Sequence, residues 1–219
     1  ARRLWRNRLP SRALKDLEVE LLDFRRTQDE VPGWMVPELY YNYLRFGDTA
    51  PLSGVFYHNG LDVVSLAALF NFSAALLSHP LTNPNVDSLD LIAIARLYDH
   101  LGRVEEAIQI YEKSLEQGLP VSFFMDTIMR FSSIHRKRGN WVDAVALWEK
   151  GAGHNSASAC LELAKYYEHH ERDYDQALIW AQSYLTLLKS DVPEITRDAS
   201  ARIDRIRRKM SKGILSKGG

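Results

Sequence analysis

The sequence predicts a mainly helical chain whose second half is a stack of helical hairpins, and three observations carry this. Apolar residues recur at helical spacing through most segments. Proline- and glycine-rich breaks separate those segments. Small and aromatic residues repeat at a fixed interval: Gly102 to Gly139, Ala107 to Ala144 and Tyr111 to Trp148 are each a step of 37 residues, and Ala144 to Ala177 is a step of 33. Repeats of this length are typical of stacked helix pairs.

At 219 residues and 25.1 kDa the chain can bury a core as one large domain or two small ones. Its 46% hydrophobic and 26% charged content is ordinary for a globular protein, and its formal net charge of zero removes any whole-chain electrostatic argument for a nucleic-acid or membrane partner. One cysteine, Cys160, excludes an internal disulfide and a multi-cysteine zinc site, so the cytoplasm is the expected location. Beside Leu161 and Leu163, that cysteine reads as a buried, inert thiol.

The first residues, Ala1-Arg2-Arg3-Leu4-Trp5-Arg6, look like the middle of an amphipathic helix, which suggests a piece of a longer protein. Six bases, Arg2, Arg3, Arg6, Arg8, Arg12 and Lys15, precede the first acid, Asp16. Arg2, Arg3, Arg6 and Arg8 are the candidates for phosphate contact, with a solvated helix face as the other reading; Trp5 reads as core. Ser11 is the expected N-cap of a helix that places Leu14, Leu17, Leu21 and Leu22 on one side and Glu18 and Glu20 on the other. Val31-Pro32-Gly33-Trp34 is a turn, and Pro37 suits the start of a helix that stops at Gly47. Its tyrosines, Tyr40, Tyr41 and Tyr43, read as packing residues.

Residues 48–57 lack helical period, with a short extended piece at Val55–Tyr57, and the next helix is expected from about Asn59 to Leu77. That helix is apolar nearly all round, hence buried on most sides. Its apolar run from Val63 is too short to cross a bilayer, which needs about 20 residues, so no membrane partner is expected. Two readings of its start stay open. Asn59 as N-cap with Asp62 in the first turn is sufficient as local structure. His58 and Asp62, four apart, also share a face if the helix contains both, and a carboxylate on an apolar helix needs a counter-charge. A divalent metal is one such counter-charge; nucleases hold two of them about 3.5–4 Å apart.

After the break at His79-Pro80-Leu81-Thr82-Asn83-Pro84-Asn85 come three hairpins and a last helix, Pro193 to Met210, with Ile195, Ala199, Ile203 and Ile206 on one face and a strongly basic other face. Ala95, Tyr98, Gly102, Ala107, Tyr111 and Pro120 resemble the tetratricopeptide pattern of small residues at close approaches and an aromatic in the adjacent hole. The second repeat has His135 for Tyr98. The third has Ala181 for Tyr111 and Trp148, and one extra residue near its turn. His169 and His170 lack zinc-site spacing and read as a solvated turn.

The first third resembles the C-terminal part of the YprB-type ribonuclease-H-like family, related to the 3′–5′ exonucleases whose sites carry four acids (DEDD). Arg2-Arg3-Leu4-Trp5-Arg6, Leu9-Pro10-Ser11, Val31-Pro32-Gly33-Trp34, Pro37-Glu38-Leu39-Tyr40, Gly47-Asp48 and His58-Asn59-Gly60-Leu61-Asp62-Val63-Val64-Ser65-Leu66 carry the likeness in that order. The resemblance implies an α/β ribonuclease-H-like domain of which residues 1–80 are the helical end. A linker at 81–90, repeats over 91–190, a capping helix at 191–210 and a flexible basic tail at 211–219 follow. It further implies Asp62 as the last metal-binding acid, for Mg²⁺ or Mn²⁺, and His58 as the group that positions water, with Tyr57 adjoining as the other candidate. The remaining acids, in an Asp-x-Glu strand and a later Asp, have no recognisable counterpart here, so residues 1–219 alone are expected not to hydrolyse DNA or RNA. The rival reading is a non-catalytic adaptor whose repeats bind a protein or peptide partner.

Overall fold

In the computed structural model, residues 2–27, 31–83, 86–188 and 193–217 are described. Positions 84–85 of the expected linker, 189–190 of the third repeat, 191–192 of the cap and 218–219 of the tail lie outside them. The described residues form α-helices with short 3₁₀ and π turns and no strand. They fall into two compact units, Ala1–Ser114 and Leu115–Gly219.

The first unit opens on turns instead of a helix. Leu4, Trp5 and Leu9 are buried although the expected helix is absent: Pro10 lacks an N–H and disfavours helical backbone at Leu9. Helix α1 (Leu14–Leu22) is capped by the Ala13 backbone; Ser11 sits two residues early, its Oγ accepting the Ala13 N–H at 3.2 Å. Only Leu17 and Glu18 of α1 are buried, so Glu18 is a core residue and not part of the polar face. A 3₁₀ turn (Gly33–Met35) leads into α2 (Val36–Phe46), which ends where Gly47 turns left-handed at φ 72° and donates its N–H to the Tyr43 carbonyl. Tyr40 and Tyr41 are exposed, contrary to their reading as packing residues.

Helix α3 (Ser53–Ser78) starts earlier than Asn59. A 3₁₀ turn at Ala50–Leu52 feeds it, Ser53 Oγ donates to the Ala50 carbonyl, and the expected extended piece at Val55–Tyr57 is helical. Gly54, in the segment expected to lack helical period, marks a close approach: a Cβ there would lie 2.7 Å from Val31 Cγ2. Asn59 is therefore mid-helix and caps nothing. The expected burial of α3 is also overturned. Only Ser65, Leu69 and Leu76 are buried, while Phe56, Val63, Val64, Leu66 and Phe70 are exposed, the last at 77%. Helix α1 packs on one side, and the apolar surface runs all round. With its early start, Ala50–Ser78 is long and apolar enough to cross a membrane by length and composition, which corrects the reading that it is too short.

Helix α4 (Ser88–His100) begins within the expected linker, its first turn capped by Asp87, which accepts the Leu89 N–H. Leu91, Ile92, Ala93, Ile94, Ala95 and Tyr98 are buried, and Tyr98 Oη donates to the Leu77 carbonyl at 2.6 Å. Gly102, at φ 77°, makes the turn into α5 (Val104–Glu116).

In the second unit α6 (Val121–Lys137), α7 (Trp141–Gly153), α8 (Ala157–Tyr166), α9 (Tyr174–Leu187) and α10 (Pro193–Lys217) pack in succession. Ala144, Trp148, Ala159 and Leu163 form one core cluster. Ala164, Ala177 and Ala181 form another with Ile203 and Ile206 of α10. Here the departure at Ala181 finds its reason: a small residue leaves room for the two isoleucines. The third hairpin's extra residue is taken up as a π turn at Tyr167–Glu171, the usual result of inserting one residue into a helix. His169 and His170 lie in that turn, so they are helical, with the His170 ring stacked on Tyr166. Helix α10 continues to Lys217, past the expected start of a flexible tail. Cys160 is buried, which pushes its thiol pKa up.

The π turn also carries Glu168, whose side chain is 0% exposed. It accepts Arg202 Nη1 at 2.7 Å, Arg205 Nε and Nη2 at 2.7 and 2.8 Å, and Lys209 Nζ at 2.9 Å. Burial is the largest effect on this carboxyl and opposes ionisation, yet the Arg205 and Lys209 hydrogen bonds outweigh it and hold the pKa at about 2, below the ordinary 4.5. Three cations of the last helix thus clamp one acid. Because the folded pKa is depressed, this stabilisation is complete above about pH 4.5 and is lost as pH falls toward 2. Glu168→Gln should cost about 2–3 kcal/mol at neutral pH, less than a wholly buried pair because the three cations reach water. Thermal melts between pH 6 and 2 check this: the gap between wild type and variant should close over that acid window.

Candidate functional site

One cluster of charged side chains in the first unit joins three of its segments. Helix α1 supplies Glu18, the segment after it supplies Arg26, and α3 supplies His58, Asp62 and Ser65. Arg26 stands at the centre, its side chain 5% exposed. Nε donates to Glu18 Oε2 at 2.8 Å, and Nη2 donates to Glu18 Oε1 and to Asp62 Oδ1, both at 2.6 Å. Nη1 lies 3.0 Å from His58 Nδ1. A guanidinium has only donors, so Nδ1 accepts and the ring proton sits on Nε2. That nitrogen is 3.4 Å from Asp62 Oδ2. Arg26 therefore fixes the imidazole as the tautomer that faces the aspartate.

The electrostatics follow the burial. The hydrogen bonds from Arg26 are the main reason the Glu18 carboxyl is held below the ordinary carboxylate range, with Ser65 adding to the effect. Glu18 in turn raises the pKa of Arg26. One guanidinium serves two carboxylates, and the half-exposed member of the group is Asp62, with His58 beside it. This helix does contain both His58 and Asp62, so the condition for their sharing a face is met. What sequence reading missed is the counter-charge. A carboxylate on an apolar helix needed one, and Arg26 stood directly after α1; Glu18, placed on the polar face, gave no signal of its burial.

Tyr57, the neighbouring candidate, is half-buried in α3. Arg2, Arg3 and Arg6 are exposed. Arg8 makes a two-point pair with Asp90, its Nε and Nη2 each 3.0 Å from a carboxylate oxygen. Trp5 is buried, its ring 6.2 Å from that of Phe72.

As arranged, these residues do not fit a divalent cation. Asp62 already has a guanidinium on Oδ1, Glu18 is enclosed behind it, and among the described residues no group of three or more His, Cys, Asp or Glu converges as a metal site.

Residues 1–73 match the family model of the RNase_H superfamily, and residues 91–120 match that of the tetratricopeptide repeat. The two matched segments follow one another along the chain, and each covers less than half of it. Over 218 residues it is 31% identical to the uncharacterized protein YprB of Bacillus subtilis (strain 168), a match covering 96% of this chain and 51% of that protein. It thus spans about half the length of the curated relative it matches. Both parts of the resemblance read from the sequence are found, and the mainly helical fold agrees with them.

Removing the central cation leaves Glu18 charged and buried without its partner. Arg26→Ala should destabilise the first unit by about 3–5 kcal/mol. Arg26→Lys should rescue little of this, since an ammonium cannot reach three groups as a planar fork does. Urea unfolding of both variants measures the difference.

Proposed function

We propose that residues 1–80 are the helical end of a ribonuclease-H-like domain in a nucleic-acid-binding protein related to the 3′–5′ exonucleases, and that the rest of that domain covers α2 and α3. The observation that supports this most is the unpartnered apolar surface of α3, in a segment that matches the superfamily. Contiguous apolar surface of this size on a folded protein marks an interface. A protein surface suits it better than a bilayer, because α3 carries His58 and Asp62 in its first half and Asn71 further on, polar groups that are costly in hydrocarbon. We place the protein in the cytoplasm on the same footing.

Mg²⁺ or Mn²⁺ belongs to this proposal only for the intact domain. There Asp62 is the one ligand residues 1–219 would supply, and Arg26 would have to release it. His58, with its proton on Nε2 next to Asp62, is the group placed to orient a polar ligand at that carboxylate. The arrangement in this chain favours a specific alternative as well: an Asp62 neutralised by Arg26 is a structural ion pair, as in a non-catalytic adaptor whose repeats bind a protein.

The two readings differ in one assay. Residues 1–219, given end-labelled single-stranded RNA or DNA with Mg²⁺ or Mn²⁺, should release no nucleotides. The longest protein containing them should degrade the strand from its 3′ end and lose that activity by at least about 100-fold on Asp62→Asn. Activity unaffected by Asp62→Asn would defeat the nuclease reading of this residue. No activity in the longer protein would favour the adaptor.

A further inference from the structure

The hairpins of the second unit form a cleft that no role above employs. Its wall is aromatic. Trp141 at the start of α7, Tyr166 at the end of α8 and His170 in the π turn stand as a triangle of rings. Centroids are 5.6 Å apart for Trp141 and Tyr166, 4.6 Å for Trp141 and His170, and 5.1 Å for Tyr166 and His170, whose planes are within 18° of parallel. Trp148, buried beneath, lies 6.4 Å from Tyr166.

The rim is charged. Arg136 Nη1 and Lys165 Nζ hold the two oxygens of Glu162 at 2.9 and 2.6 Å. The carboxylate is the hidden member of the trio, 16% exposed, against 44% for Arg136 and 39% for Lys165. Two cations share one acid, and the cations are the part that water and a ligand meet. The cavity of about 270 Å³ is slightly below the range of about 300–1,000 Å³ typical of drug-sized sites, a size suited to a single planar group.

We propose that this cleft binds one nucleotide of a single-stranded nucleic acid, its base against the Trp141 and Tyr166 rings and its phosphate at Arg136 and Lys165. Bases of any sequence stack on aromatic rings, and a guanidinium beside an ammonium suits a phosphate. The inference rests on the nucleic-acid reading of the first unit and adds a second place on the same chain to hold a strand.

Fluorescence anisotropy of labelled oligo(dT) and oligo(U) with residues 1–219 tests it. Trp141→Ala should weaken binding about tenfold or more, and Trp141→Phe should restore most of the loss. Arg136→Gln with Lys165→Gln, both on exposed side chains, should lower the log–log salt slope by about 0.7, the share of one phosphate of a single strand, with circular dichroism unchanged. If wild type binds and all these variants bind equally well, the cleft is not the site, while the nucleic-acid reading stands. If wild type binds neither oligonucleotide, the cleft proposal is overturned whatever the assay of the longer protein shows. Capture of an Asp- and Phe-containing peptide in place of the oligonucleotides would assign the cleft to a protein partner and overturn it too.

Discussion

A carboxylate without access to water remains ionised only if cations reach it with good geometry, and among the described residues each unit encloses at least one such group. In the first unit Glu18 is enclosed and Arg26 crosses from the segment after α1 to hold it, reaching Asp62 and His58 on α3 with its remaining donors. In the second, Glu168 is enclosed and the last helix brings three cations to it. Both acids tie together segments that are distant in sequence. Ion pairs of this kind contribute little net stability compared with apolar packing of the same volume. Their effect is on specificity, since a shifted helix register would strand a charge.

The two units differ in how well their apolar surface is satisfied. In the repeats, small residues let helices approach and large ones fill the remaining space: Ala144, Ala159 and Ala164 are wholly buried, with Trp148 and Leu163 beside them. In the first unit α3 packs on α1 and takes a hydrogen bond from Tyr98 near its end, yet Phe56, Val63, Val64, Leu66 and Phe70 stay exposed. The same physical rule, that apolar area is driven out of water, explains the first directly and makes the second an open interface. Two aromatic-rich elements with exposed faces, α2 and α3, follow one another in the segment that matches the ribonuclease-H superfamily.

Much of the architecture was legible because it depends on local pattern. The 37-residue step, Gly102 and Gly139 at the turns, and Pro37 and Gly47 around α2 all express short-range sterics, and the helices lie where those residues put them. The residues missed depend on distant partners. Ser11 looked like a cap until Pro10 and the turns before it moved the start of α1. The close approach at Gly54 left no local sign, because its neighbour Val31 is far away in sequence. Asp62 was visible as a carboxylate in need of a cation, but nothing local distinguished a metal from Arg26. Glu18 had the position of a solvated residue, and its burial follows only from where α3 lies.

The π turn at Tyr167–Glu171 sets a limit on how this repeat array can change. One inserted residue rotates the helix surface that follows it, and here it accompanies an enclosed Glu168 facing the cations of α10. A duplicated hairpin placed after α9 would separate that acid from its arginines, and the new final hairpin would need its own inserted residue, its own acid and its own small residue in place of an aromatic. A hairpin copied into this position would therefore have to bring its own partner for the enclosed acid.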